Sequence, residues 1–306
     1  MVVKGGRAGT CVISHSVELI CSIAGRSINE RIEMTIKVTL LGTGGPRPDP
    51  RRAQPAALIE VDGERYLVDC GDGTTRRLLD AGIDPGSVQT LLLTHLHIDH
   101  CIGVASFVYA GWFAGRRSFC MFGPTGTKEL GRDLLDRAYG PDARARFATG
   151  RPMAGLTDVA VTSIQPGVVL ETPSSRITAM RVPHNAPTET YALRFEDSAG
   201  RSVVISSDTT YCEPLADFSR DCDLLIHEAY VTSDNWAKER PGFLEMLRGV
   251  HVTPAEAGTI GRLADARKLV LTHFPPRMDD AAVANEATQT FGKPVTVGQD
   301  LMSFEV

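Results

Sequence analysis

The sequence predicts an α/β sandwich, two β-sheets packed face to face with helices on their outer sides, formed by a single domain over residues 34–306. Three observations lead there. Apolar runs of strand length alternate with stretches of helical period along the whole segment. No Pro-, Gly- or Ser-rich linker, low-complexity tract or sequence repeat divides it, so one core is the economical reading. Histidine and aspartate recur at the carboxyl ends of the apolar runs, which is where open α/β sheets place their ligands.

The elements follow in order. IKVTLLG from Ile36, AALIEV from Ala56 and RYLVDCG from Arg65 read as strands, the last two joined as a hairpin by the turn signal Asp62-Gly63. GTTRRLLDAG has helical spacing and closes on Gly82, and QTLLLTH is a buried strand that ends at His95. GVASFVYAGWFAG is helical, SFCMFG extended and GTKELGRDLLDRAYG helical again. A strand-rich stretch follows in DVAVTSI, RITAMRV, TYALRF, SVVISSD and CDLLIHE. The chain closes with helix TPAEAGTIGRLAD, strand KLVLTHF, helix DDAAVANEATQTFG and strand LMSFEV.

Composition bounds the partners. With 37 acidic against 32 basic residues the formal net charge is −5, so no overall positive field holds a polyanion, and nucleic acid would need a local basic patch. The seven cysteines are scattered without CxxC spacing, which argues against a disulfide framework or zinc ribbon and for a reducing cytoplasm. No run reaches the ~18 apolar residues of a membrane span. Residues 1–33 lack a clean apolar stretch, because His15, Ser16 and Glu18 interrupt it, and are expected to form an N-terminal extension outside the core fold. A homodimer is the default expectation for a soluble chain of this kind.

Chemistry concentrates at THLHIDH, residues 94–100. Three histidines and an aspartate within six positions call first for a metal, and His184, Asp208, His227 and His273 repeat the strand-end placement. The motif His95-x-His97-x-Asp99-His100, followed in order by His184, Asp208 and His273, resembles the metallo-β-lactamase superfamily from about Met34 to the C-terminus. LLGTGGPRPDPRRAQPAALIE, DCGDGT, AGWFAGRRSFCMFGPTGT, HEAY and HVTPAEAG resemble its ribonuclease Z and arylsulfatase-like branch. The resemblance implies an αββα metallo-β-lactamase-fold sandwich. It further implies two Zn²⁺ ions, with Mn²⁺ or Fe as substitutes: His95, His97 and His184 on one, Asp99, His100 and His273 on the other, and Asp208 bridging them. Asp69 would accept the other N–H of a ligand imidazole. Catalytic roles fall to Asp99, His251 and Glu228, with Glu228 orienting His251.

The activity so implied is hydrolysis of phosphodiester or sulfate esters by a hydroxide held between the ions, with His251 serving the leaving group. The same hydroxide would also serve a lactonase or a carboxylic ester hydrolase. A di-iron redox protein is the reading from another class; such sites tend to replace the second cluster histidine by glutamate, and His97 is intact. Two departures from the branch stand out. The interval between His184 and Asp208, 208 − 184 = 24 residues, leaves no room for the long arm common in tRNA-processing members, which with the acidic charge favours a small ester substrate over tRNA. Ser207 stands where the family often has glycine, so the backbone there is expected to shift. His227 reads as a structural histidine as readily as a catalytic one. Cys101 reads as a small buried hydrophobe, Trp112, Phe113 and Phe122 as core, and Arg51, Arg52, Arg116 and Arg117 as solvated loop arginines.

Overall fold

The computed structural model describes residues 35–146, 148, 150, 152–157, 159–232 and 242–306. The extension expected over residues 1–33 lies outside the described residues. In chain order the elements are β1 (Ile36–Gly42), β2 (Ala56–Val61), β3 (Glu64–Val68), α1 (Thr74–Asp80), β4 (Thr90–Leu92), α2 (Ile98–Cys101), α3 (Val104–Phe113), β5 (Cys120–Gly123), α4 (Thr127–Gly131), α5 (Gly140–Arg146), β6 (Ala160–Ser163), β7 (Gly167–Glu171), β8 (Ser175–Val182), β9 (Thr190–Asp197), β10 (Ser202–Ile205), α6 (Pro214–Phe218), β11 (Leu224–Glu228), α7 (Phe243–Arg248), α8 (Pro254–Leu263), β12 (Lys268–Thr272), α9 (Asp280–Phe291), β13 (Val295–Val297) and β14 (Ser303–Glu305).

The strands form two seven-stranded sheets, ordered β14-β1-β2-β3-β4-β5-β6 and β13-β12-β11-β10-β9-β8-β7. Each has an antiparallel half and a parallel half: β3 to β6 run parallel in the first, and β10 to β13 in the second. Side-chain alternation sorts the core into layers. Val38, Ile59, Tyr66 and Val68 of the first sheet meet Ile177, Leu193, Val203 and Ile226 of the second between the sheets. On the outer side of the first sheet Leu41, Leu58 and Leu67 pack with Leu78, Phe107 and Trp112 of α1 and α3. On the outer side of the second, Val204, Leu225 and Leu271 pack with Ile260 and Ala287 of α8 and α9. This is the αββα sandwich the sequence predicts. Each fully buried Leu or Ile contributes roughly 1.5–3 kcal/mol of transfer free energy.

The differences from expectation have local causes. β7 carries no alternation because it is an edge strand exposed on both faces, with only Val169 and Leu170 partly covered. The helix expected over residues 126–140 starts as α4 but widens to π-helical geometry at Arg132–Ala138. Arg116 is not solvated: its guanidinium is buried, donates to the carbonyls of Val88 (2.8 Å) and Val108 (3.1 Å), and lies over the Phe107 and Phe119 rings. Gly111 makes room for it, since a Cβ there would sit 2.5 Å from Arg116 Cζ. Arg52 is likewise buried, donating to Thr43 Oγ1 (2.7 Å) and the Gly298 carbonyl (2.6 Å). Arg51 pairs with Asp49, and Arg117 donates to the Trp112 and Arg116 carbonyls. Trp112 and Phe122 are core, whereas Phe113 is 53% exposed.

Topology places the site. β3 and β4 run parallel, as do β10, β11 and β12, and β8 shares their direction through the antiparallel β9. A parallel bridge between Gly44 and Phe274 ties the two sheets at the carboxyl edge. At the opposite edge Glu64, which opens β3, joins the sheets differently. Its Oε2 accepts hydrogen bonds from Tyr66 (2.8 Å), Thr172 (2.8 Å), Ser174 (2.5 Å) and Ser175 (3.2 Å), the last three lying on the β7–β8 hairpin of the other sheet.

Burial alone would raise the Glu64 pKa, but these hydroxyl donors lower it below the ordinary 4.5. Glu64→Gln is therefore expected to cost about 1–2 kcal/mol in urea unfolding at neutral pH. A depressed folded-state pKa gives stability that is full above the unfolded value near 4.5 and fades as pH falls through the folded one. The gap between wild type and variant should shrink accordingly in acid; a gap independent of pH would show that the charge plays no part.

Candidate active site

The residues singled out in the sequence arrive from both sheets at one carboxyl edge. Asp69 follows β3, His95 and His97 follow β4, Asp99 and His100 lie in the first turn of α2, and His184 follows β8. Asp208 follows β10, Glu228 ends β11, His251 precedes α8 and His273 follows β12. Three of the strand-end residues, Asp69, Ser207 and His273, have positive φ (58°, 59° and 58°), the left-handed turn that swings the chain sharply off the strand. That requirement at Ser207 is why glycine suits the position.

Asp208 is the centre. Its Oδ2 lies 3.3 Å from His273 Nε2, 3.5 Å from His100 Nε2, 3.8 Å from both His95 Nε2 and His184 Nε2, and 4.0 Å from His251 Nδ1. Asp99 Oδ2 lies 3.3 Å from His273 Nε2 and 3.7 Å from His100 Nε2. His184 Nε2 and His97 Nδ1 are 3.2 Å apart. His95, His97, His184 and Asp208 thus converge as one donor group, and Asp99, His100 and His273 as another.

Outer hydrogen bonds fix which nitrogen faces inward. His100 Nδ1 donates to Asp69 Oδ2 at 2.8 Å, and His184 Nδ1 donates to the Val250 carbonyl at 2.7 Å. Thr94 donates its hydroxyl proton to Asp69, so the same oxygen accepts from His95 Nδ1 at 3.1 Å. The Nε2 lone pairs of all three rings are left facing Asp208. His95 Nε2 and His100 Nε2 are buried without a hydrogen-bond partner. Lone pairs converging on carboxylates in a buried space fit a cation, and imidazole with carboxylate is a donor set for divalent transition metals.

The charge balance agrees. Burial, reinforced by the neighbouring imidazoles, pushes His95 well below the ordinary histidine value and lowers His97 and His184. Burial would raise Asp208, but His273, His100 and His95 hold it well below the carboxylate range. At His100 burial opposes the charged form, yet Asp208 and Asp69 raise it well above normal, so that position calls for positive charge.

Glu228 and His251 sit beside this centre. His251 Nδ1 donates to Glu228 Oε1 at 2.9 Å, and the backbone amides of Thr209 (2.8 Å) and Tyr230 (3.1 Å) donate to the two Glu228 oxygens. Burial would lower His251, but the Glu228 carboxylate raises it to about 9. With Nδ1 committed to Glu228, the imidazolium offers its Nε2 proton elsewhere. His251 also falls into a donor group with Asp208 and His273, the alternative that metal content must decide.

The neighbours sort themselves. His227 is fully buried, its Nδ1 donating to the Glu228 carbonyl at 2.8 Å, and belongs to no donor group among the described residues. Cys101 is buried with Sγ toward the His97 carbonyl at 3.3 Å, and burial raises its thiol to about 11. Sequence reasoning missed three participants: the Thr94 hydroxyl, the Val250 carbonyl and the Tyr230 ring. Thr94 and Tyr230 lie inside the quoted motifs, but no spacing rule reveals their contacts.

Comparison with known proteins places the chain in a family. The family model described as "Beta-lactamase superfamily domain" matches residues 64–274. A ribonuclease Z of Mycobacterium sp. (strain KMS) is 31% identical over 277 residues, covering 89% of this chain and 96% of that protein. Among solved structures, the metallo-β-lactamase fold protein YhfI of Bacillus subtilis superposes with a TM-score of 0.71 at 23% identity, over 89% of this chain and all (100%) of that one. The short form of human tRNase Z gives 0.64 at 23% identity, over 88% and 98%.

Asp208 belongs to one donor group and lies 3.5 and 3.3 Å from His100 and His273 of the other, which leads to one expectation about metal. The purified protein should carry about two divalent ions per chain by elemental analysis. Asp208→Ala should lose both or retain one weakly; two ions held as tightly as in wild type would remove Asp208 from the shared position.

Proposed function

Because the chain belongs to the metallo-β-lactamase superfamily, with ribonuclease Z proteins among its relatives, we propose that it is a two-ion metallohydrolase of small phosphodiesters and, by the same chemistry, sulfate esters. The observation that carries this reading is Asp208, a member of the first donor group that lies 3.5 and 3.3 Å from His100 and His273 of the second, with the Glu228–His251 pair at their side. His95, His97 and His184 would hold one ion, Asp99, His100 and His273 the other, and Asp208 both. We assign zinc, which this imidazole-rich set suits. When bound, two such ions supply hydroxide near neutral pH and neutralise charge on the ester's non-bridging oxygens.

The protein's own groups do the rest. Asp69, Thr94 and the Val250 carbonyl hold the ligand rings in one tautomer and one direction. Glu228 keeps His251 charged, and His251 donates its Nε2 proton to the departing oxygen, the help an alkoxide most needs. The interval between His184 and Asp208 is occupied by β9, a turn and β10, which supports a small substrate. No helix among the described residues is long and apolar enough to cross a membrane.

RNA cleavage is the second reading, favoured by the name of the mycobacterial relative. Zinc-loaded protein should be assayed on bis-aryl phosphate, aryl sulfate, aryl carboxylate, lactone and a tRNA precursor. Turnover of the phosphate or sulfate with only shallow salt-dependent tRNA binding is expected; accurate trimming of the precursor's 3′ end would reverse the preference.

His251→Ala should keep its metal and lower turnover of an alkyl phosphodiester by roughly 10²–10⁴-fold, with a smaller loss for activated aryl leaving groups. Glu228→Gln should follow the same order more mildly. Equal losses along a series of graded leaving groups, or loss of metal, would place His251 among structural residues or ligands.

A further inference from the structure

Tyr230, two residues beyond the end of β11, stands beside the candidate site. Its ring centroid lies 4.8 Å from that of His251 and 5.2 Å from that of His273. The slot for the ring exists because residue 45 is glycine: a Cβ there would meet Tyr230 Cε2 at 2.5 Å and His273 Cε1 at 3.3 Å. Behind it the ring joins a small apolar cluster with Val231 and Leu247, and its backbone amide is pinned to Glu228 at 3.1 Å. The side chain is thus held on several sides, so its hydroxyl is ordered at little further entropic cost.

Buried tyrosines usually satisfy their hydroxyl. Here the residue is only 3% exposed, yet no hydrogen bond joins its hydroxyl to any described residue. A donor with no partner among the described residues, beside a histidine of the ion site and beside the proposed proton donor, suits an anionic oxygen. We propose that the Tyr230 hydroxyl donates a hydrogen bond to a non-bridging oxygen of the phosphodiester. This inference rests on the phosphodiesterase reading.

Tyr230→Phe deletes the donor and keeps the ring packing on Gly45, His251 and His273; Tyr230→Ala deletes both. Metal content, thermal melting, kcat and KM on bis(4-nitrophenyl) phosphate, and calorimetric affinity for inorganic phosphate should be measured for zinc-loaded wild type and both variants. Tyr230→Phe is expected to keep metal content and melting temperature, to lose about 10–100-fold in kcat/KM, the scale of one hydrogen bond to a charged group, and to bind phosphate more weakly. Unchanged kcat/KM and phosphate affinity in Tyr230→Phe, with Tyr230→Ala impaired, would overturn the proposal and leave the ring a packing element. If wild type does not turn over the diester, the functional reading fails by itself, and phosphate affinity alone then decides the hydroxyl: weaker binding by Tyr230→Phe upholds the contact and equal binding removes it.

Discussion

One buried carboxylate oxygen, Asp208 Oδ2, governs this structure by standing within 4.0 Å of nitrogens from five histidine rings. Gathering such groups away from water is costly, several kcal/mol for each buried ion even after relaxation. The fold sustains them by committing their outer atoms: Asp69 takes His100 and Thr94, Thr94 takes His95, and Val250 takes His184. It also accepts left-handed backbone at Asp69, Ser207 and His273, at roughly 1–2 kcal/mol for each non-glycine residue. Left-handed residues also occur away from the site, at Asp62, Asp221, Asp265, Arg277 and Leu301, but a stable sandwich has no need of inward lone pairs. The lone pairs therefore mark the carboxyl edge as the candidate functional edge.

Much of this was legible in the chain because it is local. The cluster from His95 to His100 declares itself by spacing, and the later histidines by following apolar strands. Ser207 was also informative, since a position that often carries glycine turned out to demand a positive φ. What stayed hidden depends on side-chain direction and distant partners. β7, open on both faces, offers no alternation to detect. Arg52 and Arg116 read as solvated because their acceptors are carbonyls up to hundreds of positions away, such as Gly298 for Arg52. Tyr230 looked like one more residue of a motif, and only the Gly45 slot shows where its ring goes.

The parts divide the labour between sheet and loop. Strand ends and the α2 turn supply the candidate ion-holding groups, where rigid neighbours preserve geometry to within fractions of an ångström. The proposed proton donor comes instead from the segment leading into α8, whose start is secured by a capping box in which Thr253 and Glu256 satisfy each other's backbone amides. That cap fixes the direction of the chain only two residues beyond His251.

The Val250 carbonyl joins these two systems. It accepts from His184, while the very next residue is His251, and the His251 amide is itself tied to the Leu247 carbonyl at 2.8 Å. A candidate ligand ring and the proposed proton donor are thus both tied to one short, hydrogen-bonded length of backbone. Evolution of this protein toward new substrates is constrained accordingly: a length change at residues 249–252 would displace the proposed proton donor and the candidate ligand ring together, so new specificity is more accessible through loops that lack this double attachment.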